Sequence, residues 1–467
     1  MEKSDEEGTV GRESGISNGI RKGDEKVIKG WVFYDWANSV YNLVISSAIF
    51  PIFYANITES YYLKKTGREG GELQLGETVL VDFFGFELSN SVLFSYTLSA
   101  SFLMVAILSP FLSGIADVSG SKKRFMQFFC YLGALSCISL YWFTPAVIEL
   151  GMLSIFLASI GFWNSFVFYN AYLPEIAEPK DHDRISARGF SMGYFGSMIL
   201  LVICLSIIMF IDPKYTSISF ILVGIWWAGF AQITFSRLPS TKNRVPKGQS
   251  YLWKGFKELR KVFAEFKYTK RLKRYLFSFF FFNTGVQTVM LMAVVFAKKE
   301  INWSEGGGDT GLIIAILLIQ LLGAGGAYLM SFISSKIGNL RTLIFVVIGW
   351  IILCGFAYII QTPVEFYFLA AGVGLVMGGV QALARSTYSK FLPETKDSAS
   401  YFSFYDVTEK IGIVLGTFFF GLMEYITGDL RASVLAIITF FVLGLIALMA
   451  VPKREKLTVN SKFTDQW

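Results

Sequence analysis

The chain has 467 residues, of which 53% are hydrophobic and only 16% are charged. A soluble domain carries roughly 25% charged residues, so the composition excludes an ordinary water-soluble core. The apolar residues form long blocks, and a block of about 18 or more is typical of a bilayer-spanning helix. The sequence therefore predicts an all-α polytopic membrane protein.

The apolar blocks predict twelve membrane spans in two sets of six. The first six are expected at 31–57, 91–115, 125–145, 150–173, 189–211 and 216–237. The second six are expected at 274–297, 309–334, 341–360, 363–385, 401–424 and 431–451. The predicted domains are a disordered tail at 1–29, a six-helix bundle at 30–237, a linker at 238–273, a second six-helix bundle at 274–451 and a tail at 452–467.

The 42 Lys and Arg residues predict the orientation of the spans, because basic loops stay on the cytoplasmic side. Most of them lie in the segments that share a side with both termini, so both termini are expected to be cytoplasmic. The net charge of +7 follows from this topology, and no nucleic-acid partner is expected. The linker contains a basic amphipathic helix, which either couples the two bundles or acts as a positively charged tether.

The four cysteines and the single histidine exclude most enzyme classes. Cys130, Cys137, Cys204 and Cys354 fall within predicted spans and lack metal-ligand spacing. His182 falls in a predicted cytoplasmic loop, so no Ser-His relay is expected in the membrane. The chain also lacks a Walker-type phosphate loop. We therefore expect no metal, no cofactor, no enzymatic activity and no direct use of ATP.

Short matches between the two halves indicate an internal repeat. Residues 172–175 (YLPE) end the fourth predicted span, and 391–394 (FLPE) end the tenth. Residues 115, 120 and 123 match 333, 338 and 341 at a constant offset after the second span of each half. A parallel repeat of six spans is typical of transporters whose two halves rock about a binding site at mid-membrane.

The segment 114–124 (GIADVSGSKKR) between the second and third spans resembles the signature loop of the major facilitator superfamily. In that superfamily the aspartate of this loop helps to latch the two halves together on the cytoplasmic side. The resemblance implies that Asp117 meets the start of the eleventh span, at 398–403. Because Ser335 replaces the aspartate in the second half, the latch is expected on one side only. The predicted latch residues are Gly114, Asp117, Gly120, Lys123, Arg124, Arg188 and Arg385.

Five further segments are similar to the vacuole-effluxer-like branch of the superfamily. They are 34–42 (YDWANSVYN), 169–175 (YNAYLPE), 188–190 (RGF), 381–386 (QALARS) and 404–407 (FYDV). The resemblance implies two pseudo-symmetric six-helix bundles. Its fungal members are associated with export of amino acids from the vacuole, while most bacterial members have no assigned cargo.

Ionisable and amide side chains within a bilayer are costly, so those in the predicted spans are candidate site residues. In the first span, Asp35, Asn38 and Asn42 share one helix face. In the eleventh, Asp406 and Lys410 lie one turn apart. The alternatives are hydrogen bonds that join helices and a static, self-neutralising ion pair. The predicted substrate-binding or coupling residues are Asp35, Asn38, Tyr41, Asn42, Asn164, Asn170, Asn283, Gln287, Gln381, Asp406, Glu409 and Lys410.

Together these features predict a secondary transporter that moves a small polar solute by alternating access. Amino acids are the candidate cargo and a proton gradient is the candidate driving force. The protein is expected as a monomer among membrane lipids, in a bacterial inner membrane or, in a eukaryote, in the vacuolar membrane. Two alternatives remain open: a membrane enzyme that acts on a lipid, and a nutrient sensor built on a transporter scaffold.

Overall fold

The computed structural model is almost entirely helical. It describes residues 16–17, 20–71, 73, 77–240, 251–266, 269–303 and 309–452. Within these residues, twelve helices are long and apolar enough to cross a membrane, which confirms the predicted number of spans. Most of the predicted tails at 1–29 and 452–467, and part of the predicted linker, lie outside the described residues.

The first half begins with a span of three consecutive pieces: α1 (Glu25–Val40), a π-helical segment (Tyr41–Ala48) and α2 (Ile49–Lys65). There follow α3 (Asn90–Ser119), α4 (Lys122–Ser139), α5 (Ile148–Ala171), α6 (Leu173–Ile176), α7 (His182–Phe210) and α8 (Ile218–Arg237). Except for α6, which is a single turn, these helices are the cores of spans two to six. Short 3₁₀ turns extend them at Leu140–Trp142, Pro145–Val147, Pro179–Asp181 and Pro213–Ser217.

A linker helix, α9 (Tyr251–Glu265), precedes the second half. Spans seven to twelve are α10 (Lys270–Glu300), α11 (Asp309–Ile337), α12 (Asn339–Ile359), α13 (Pro363–Phe391), α14 (Ser398–Thr427) and α15 (Leu430–Met449). The strands are short: β1 (Ile16–Ser17) pairs with β2 (Ile20–Arg21), and β3 (Leu80–Phe83) pairs with β4 (Phe86–Ser89). Both pairs are antiparallel, with Ile16 opposite Arg21 and Leu80 opposite Ser89.

The first span is longer than predicted, because charged residues at its ends are part of the helix. The Asp24 side chain accepts a hydrogen bond from the Lys26 N–H (2.8 Å) and so caps the start of α1. Lys64 and Lys65 lie in the last turn of α2, where cations are favourable at a helix C-terminus. The charged residues that defined the predicted limits are thus part of the helix, which continues beyond them.

The eighth and tenth spans, α11 and α13, touch backbone to backbone. A β-carbon on Gly326 would lie 2.1 Å from the Leu375 carbonyl oxygen, and one on Gly378 would lie 1.9 Å from that of Gly323. Small residues at membrane helix interfaces allow such close approach, which maximises van der Waals contact. These glycines therefore fix the spacing of the two helices.

The two halves meet along α7, which packs against α11 and α13, and along α14, which packs against α3 and α5. The linker helix α9 packs against both α3 and α14. Its Gly255 lies so close to Gly114 that a β-carbon on Gly114 would be 2.4 Å from the Gly255 carbonyl oxygen. The linker helix thus contacts one helix from each half.

We expect Gly326→Ala to lower the melting temperature of the detergent-purified protein, because overpacking a close contact costs about 1–3 kcal/mol. Gly325 is the matched control: it is exposed, and a β-carbon there would meet nothing within 4 Å. The measurement is the melting temperature of each variant in a thermal unfolding experiment. Equal melting temperatures for both would contradict the backbone contact.

Candidate functional site

Asp117, at the end of α3, reaches across to the first turn of α14 in the other half. Its Oδ1 accepts a hydrogen bond from the Ala399 N–H (3.2 Å). Its Oδ2 accepts from both the N–H and the hydroxyl of Ser400, each at 2.7 Å. The first N–H groups of a helix lack intrahelical partners and carry partial positive charge, so a carboxylate stabilises them. The structure thus places Asp117 where the resemblance implied.

Lys122 joins this contact to a second carboxylate. Its Nζ lies 3.1 Å from Asp117 Oδ1 and forms an ion pair with Glu175. It also donates to the Ser398 hydroxyl (2.7 Å), which in turn donates to Glu175 (2.5 Å). We use the term latch for the group of residues Asp117, Lys122, Glu175, Ser398 and Ser400. The end of the molecule where these residues lie is called the latch face. Because the latch is shielded from water, its charges interact strongly.

Sequence reasoning selected the neighbouring basic residues instead of Lys122. Lys123 donates to the carbonyl oxygen of Leu238 (2.8 Å), the residue that follows α8, and Arg124 is exposed. Gly120 ends α3 in the left-handed conformation with φ of 64°, and this turn decides which of the three basic side chains points inward. The sequence shows the run of basic residues but not that direction.

Arg385, in α13, forms a second connection deeper between the halves. It is almost fully buried, with 1% of its surface exposed. Its Nη2 lies 3.2 Å from Asp35 Oδ2 and donates to the Ser186 carbonyl oxygen (3.0 Å). Its Nε donates to the Ser186 hydroxyl (2.9 Å), and its Nη1 donates to Asn170 Oδ1 (3.3 Å). All three partners belong to the first half.

Aromatic side chains complete the surroundings of this ion pair. The guanidinium carbon of Arg385 lies 4.1 Å from the centre of the Phe190 ring and 4.8 Å from that of Trp31. The Tyr169 hydroxyl donates to Asp35 Oδ2 (2.6 Å). By contrast Arg188, predicted for the same latch, pairs with Glu25 of its own half (3.1 Å), and both side chains are partly exposed. Of the two arginines, Arg385 contacts the opposite half.

A cavity of about 180 Å³ lies between the halves, next to the Asp35–Arg385 pair. It extends away from the latch face along Asn42 and Ser47 of the first span and along Ala293 and Val294 of α10. Eight of the residues predicted for substrate binding or coupling line it: Asp35, Asn38, Asn42, Asn170, Asn283, Gln287, Gln381 and Glu409. The structure thus brings residues from five spans together around one space.

The other four predicted residues lie outside the cavity wall. Tyr41 packs on Phe162, with ring centres 4.9 Å apart. Asn164 donates to the Ile160 carbonyl oxygen (3.0 Å). Asp406 and Lys410 form a buried ion pair (3.1 Å). Their roles in binding or coupling stay predictions.

Aromatic residues form a large part of the wall, and sequence reasoning did not select them. They are Phe162, Trp163, Phe166, Phe190, Tyr194 and Tyr405. Among 78 aromatic residues in so apolar a chain, composition gives no signal for these six. Their spacing would identify them only if the inward faces of α5, α7 and α14 were already known.

The π-helical segment Tyr41–Ala48 lies beside the cavity and contributes Asn42, Leu43 and Ser47 to its wall. The Ser47 hydroxyl donates to the Asn42 carbonyl oxygen (2.9 Å), five residues earlier. Such π-helical turns are rare in proteins, and those that do occur are frequently found at functional sites. The first span therefore departs from regular α-helix where it borders the cavity.

Comparison with solved structures identifies the fold of this protein. The chain matches the outward conformation of the major facilitator superfamily transporter FucP with a TM-score of 0.65 at 13% identity, covering 92% of this chain and 99% of that one. It matches the human organic anion transporter MFSD10 (TETRAN) with a TM-score of 0.64 at 12% identity, covering 91% and 98%. The fold is that of a major facilitator superfamily transporter, a multi-pass integral membrane protein.

Sequence comparison defines the family within this class. Residues 23–459 match the family described as "Vacuole effluxer Atg22 like", and the chain belongs to it. The uncharacterized MFS-type transporter YxiO of Bacillus subtilis is 28% identical over 444 residues, covering 93% of this chain and 97% of the relative. Autophagy-related protein 22 of Saccharomyces cerevisiae is 25% identical over 515 residues, covering 95% and 94%. The predicted family is confirmed.

We expect Asp117→Ala to favour opening of the latch face. Loss of a helix-capping side chain costs about 1–2 kcal/mol, which shifts a two-state equilibrium roughly five- to thirtyfold. The readout is the rate at which a cysteine at Ser39, in the cavity wall, reacts with a reagent added from the latch side. The four native cysteines are buried and give a low background.

Asp212→Asn serves as the control, because Asp212 accepts from the Lys214 N–H in an exposed loop (2.9 Å) remote from the latch. Equal labelling rates in the Asp117 variant, the control variant and the unmodified protein would show that the latch contact does not hold that face closed.

Proposed function

We propose that this transporter moves a small polar solute by alternating access, with the cavity between its halves as the binding site. The observation that carries the proposal is the asymmetry of the contacts between the halves. Among the described residues, the hydrogen bonds that join the halves run from the latch face to the Tyr194–Gln381 bond at mid-depth (2.8 Å). The cavity continues beyond them, so the structure represents a state closed at the latch face.

Unpaired amides in the cavity wall support a polar cargo. Both amide atoms of Asn38 and the Nδ2 of Asn283 are buried without a hydrogen-bond partner. A buried amide without a partner is costly, and a bound polar solute would satisfy it. Amino acids are the first cargo class to test, as the resemblance to the fungal branch implies.

We propose that the latch face is cytoplasmic, because most Lys and Arg residues lie in the segments on that side. The linker at 238–273 is proposed to couple the bundles at 30–237 and 274–451. Two contacts of α9 support the coupling: the Tyr401 hydroxyl donates to Glu265 Oε2 (2.7 Å), and Lys261 pairs with Asp397 (3.4 Å). Both partners belong to the second half, whereas Gly255 touches the first.

Uptake into proteoliposomes tests the transport proposal and separates it from its alternatives. Unaltered solute that accumulates across the bilayer supports transport. Chemically altered product would indicate an enzyme, and ligand binding without flux would indicate a sensor. Either of these results would overturn the proposed function.

We expect Asn38→Ala and Asn283→Ala each to raise the KM for the transported solute about three- to tenfold, since a hydrogen bond contributes about 0.5–1.5 kcal/mol. Gln232→Ala is the matched control, because Gln232 bonds to Tyr131 on the exposed surface of α8. Initial uptake rates over a range of solute concentrations provide the KM. An unchanged KM in both asparagine variants would remove these amides from the binding site.

Proton coupling is proposed through the buried carboxylates Asp35 and Asp406. Asp35 is held by Arg385 and Tyr169, and Asp406 faces Lys410 on its own helix with Glu409 beside it. A carboxylate whose cationic partner moves away in the opposite state would take up a proton, because an unpaired buried charge is costly.

We expect Asp35→Asn or Asp406→Asn to weaken the dependence of uptake on an imposed pH gradient, because neither amide can carry the proton. Asp212→Asn again serves as the exposed control. Uptake is measured with and without the gradient. If both buried variants keep the full response, neither residue couples transport to protons.

A further inference from the structure

The charges around the cavity do not cancel. The charged residues among its described lining are Asp35, Arg385 and Glu409. Asp35 and Arg385 neutralise each other across the halves at 3.2 Å. Glu409 accepts from the neutral Gln287 side chain, and its other oxygen lies 3.9 Å from Lys410.

Lys410 is already occupied by a nearer carboxylate. Its Nζ lies 3.1 Å from Asp406 but 3.9 Å from Glu409, so one ammonium serves two carboxylates. The helices α3 and α5, which pack against α14, each contain a single charged residue, Asp117 and Glu149 respectively, near one end. When Asp35, Asp406, Glu409, Arg385 and Lys410 are all ionised, three negative charges face two positive ones, and Glu409 is the carboxylate that lines the cavity without a close cationic partner.

Neither cation near the cavity is available to an anionic solute. The Lys410 ammonium lies 3.1 Å from the centre of the Trp163 ring, and Trp163, not Lys410, lines the cavity. The Arg385 guanidinium is bonded to Asp35, Ser186 and Asn170. A carboxylate or phosphate entering the cavity would therefore meet Glu409 without a free positive partner.

The rest of the wall suits a cation that also has polar atoms. The faces of Trp, Tyr and Phe rings attract ammonium groups, most strongly where water is excluded, and the wall contains Trp163, Tyr194 and Tyr405. Asn38 is 1% exposed and Asn283 is 7% exposed, and both present unpartnered amide atoms. These two buried amides point to a ligand independently of the carboxylates.

We propose that the solute bound in this cavity is an organic amine whose ammonium group pairs with Glu409 and that has no carboxylate of its own. Its ammonium lies between Glu409 and the aromatic wall, and its other polar atoms bond to the amides of Asn38 and Asn283. The inference rests on the proposed transport function, but it restricts the cargo to cations and so excludes the amino acids that the resemblance to the fungal branch implies.

The test is a binding panel in which solutes share a carbon skeleton but differ in charge. Tyramine, tyrosine and 3-(4-hydroxyphenyl)propionate form one series, and ethanolamine, serine and 3-hydroxypropionate form another, so that each solute also carries a hydroxyl group for the two amides. A ligand that binds the folded protein raises its melting temperature. The expected result is stabilisation by the amine of at least one series that exceeds stabilisation by its amino acid, with none by the acid.

Glu409→Gln keeps the shape of the side chain and removes its charge, so amine affinity should fall roughly tenfold or more. Glu424→Gln is the matched control on the same helix, because Glu424 forms an exposed ion pair with Lys299 (2.9 Å). This variant should leave the amine affinity unchanged. The series measured on the unmodified protein tests the charge class even if Glu409→Gln does not fold.

Preferential binding of the acids, equal binding of all three charge classes, or no binding by any member would overturn the inference. So would full amine affinity in a folded Glu409→Gln protein. Flux measurements keep this inference separate from the proposed function. Amine binding without flux would overturn the transport proposal but leave the proposed charge class intact. Flux of neutral or anionic solutes alone would support transport but overturn the proposed charge class.

Discussion

A guanidinium buried between two bundles is the constraint on which the rest of this structure depends. Arg385 belongs to the second half, but Asp35, Asn170 and Ser186, which satisfy it, belong to the first. Breaking a buried ion pair by removing one partner costs about 3–5 kcal/mol. The halves therefore separate at this depth only if water or a ligand replaces the lost partners.

The latch is built on a different principle and joins the halves at the end of the molecule, at a shallower depth than Arg385. Asp117 supplies to α14 the cap that a helix usually takes from its own sequence. When the halves separate, water can hydrate these terminal groups, so opening the latch costs less than exposing Arg385 in an apolar interior. The end of the molecule thus opens more easily than the middle.

The sequence predicts the fold well because the bilayer restricts the possibilities. Spanning segments must be helical to satisfy their backbone groups, so long apolar blocks are sufficient to count them. The position of Asp117 followed from its signature loop. In contrast, Arg385 was predicted at the cytoplasmic end of the tenth span, because its own charge set the predicted end of that span at 385. The structure continues α13 to Phe391, which places Arg385 deeper between the halves.

The candidate site was only partly predictable for a related reason. Costly polar residues such as Asn38 and Gln287 stand out in an apolar span, and the structure places both at the cavity. Aromatic residues such as Trp163 have no such contrast with the lipid-facing side chains. Asp406 and Lys410 show that polarity alone does not place a residue in the wall, since they form an ion pair with each other outside it.

The π-helical segment of the first span has a consequence for how this chain is aligned with its relatives. Successive residues of a regular α-helix are rotated by about 100° around its axis. A segment that accommodates an extra residue shifts every later side chain by that step relative to an uninterrupted helix. A relative with regular geometry here would need a one-residue gap between 41 and 48, or else lipid-facing positions in α2 would be compared with positions that face the protein interior.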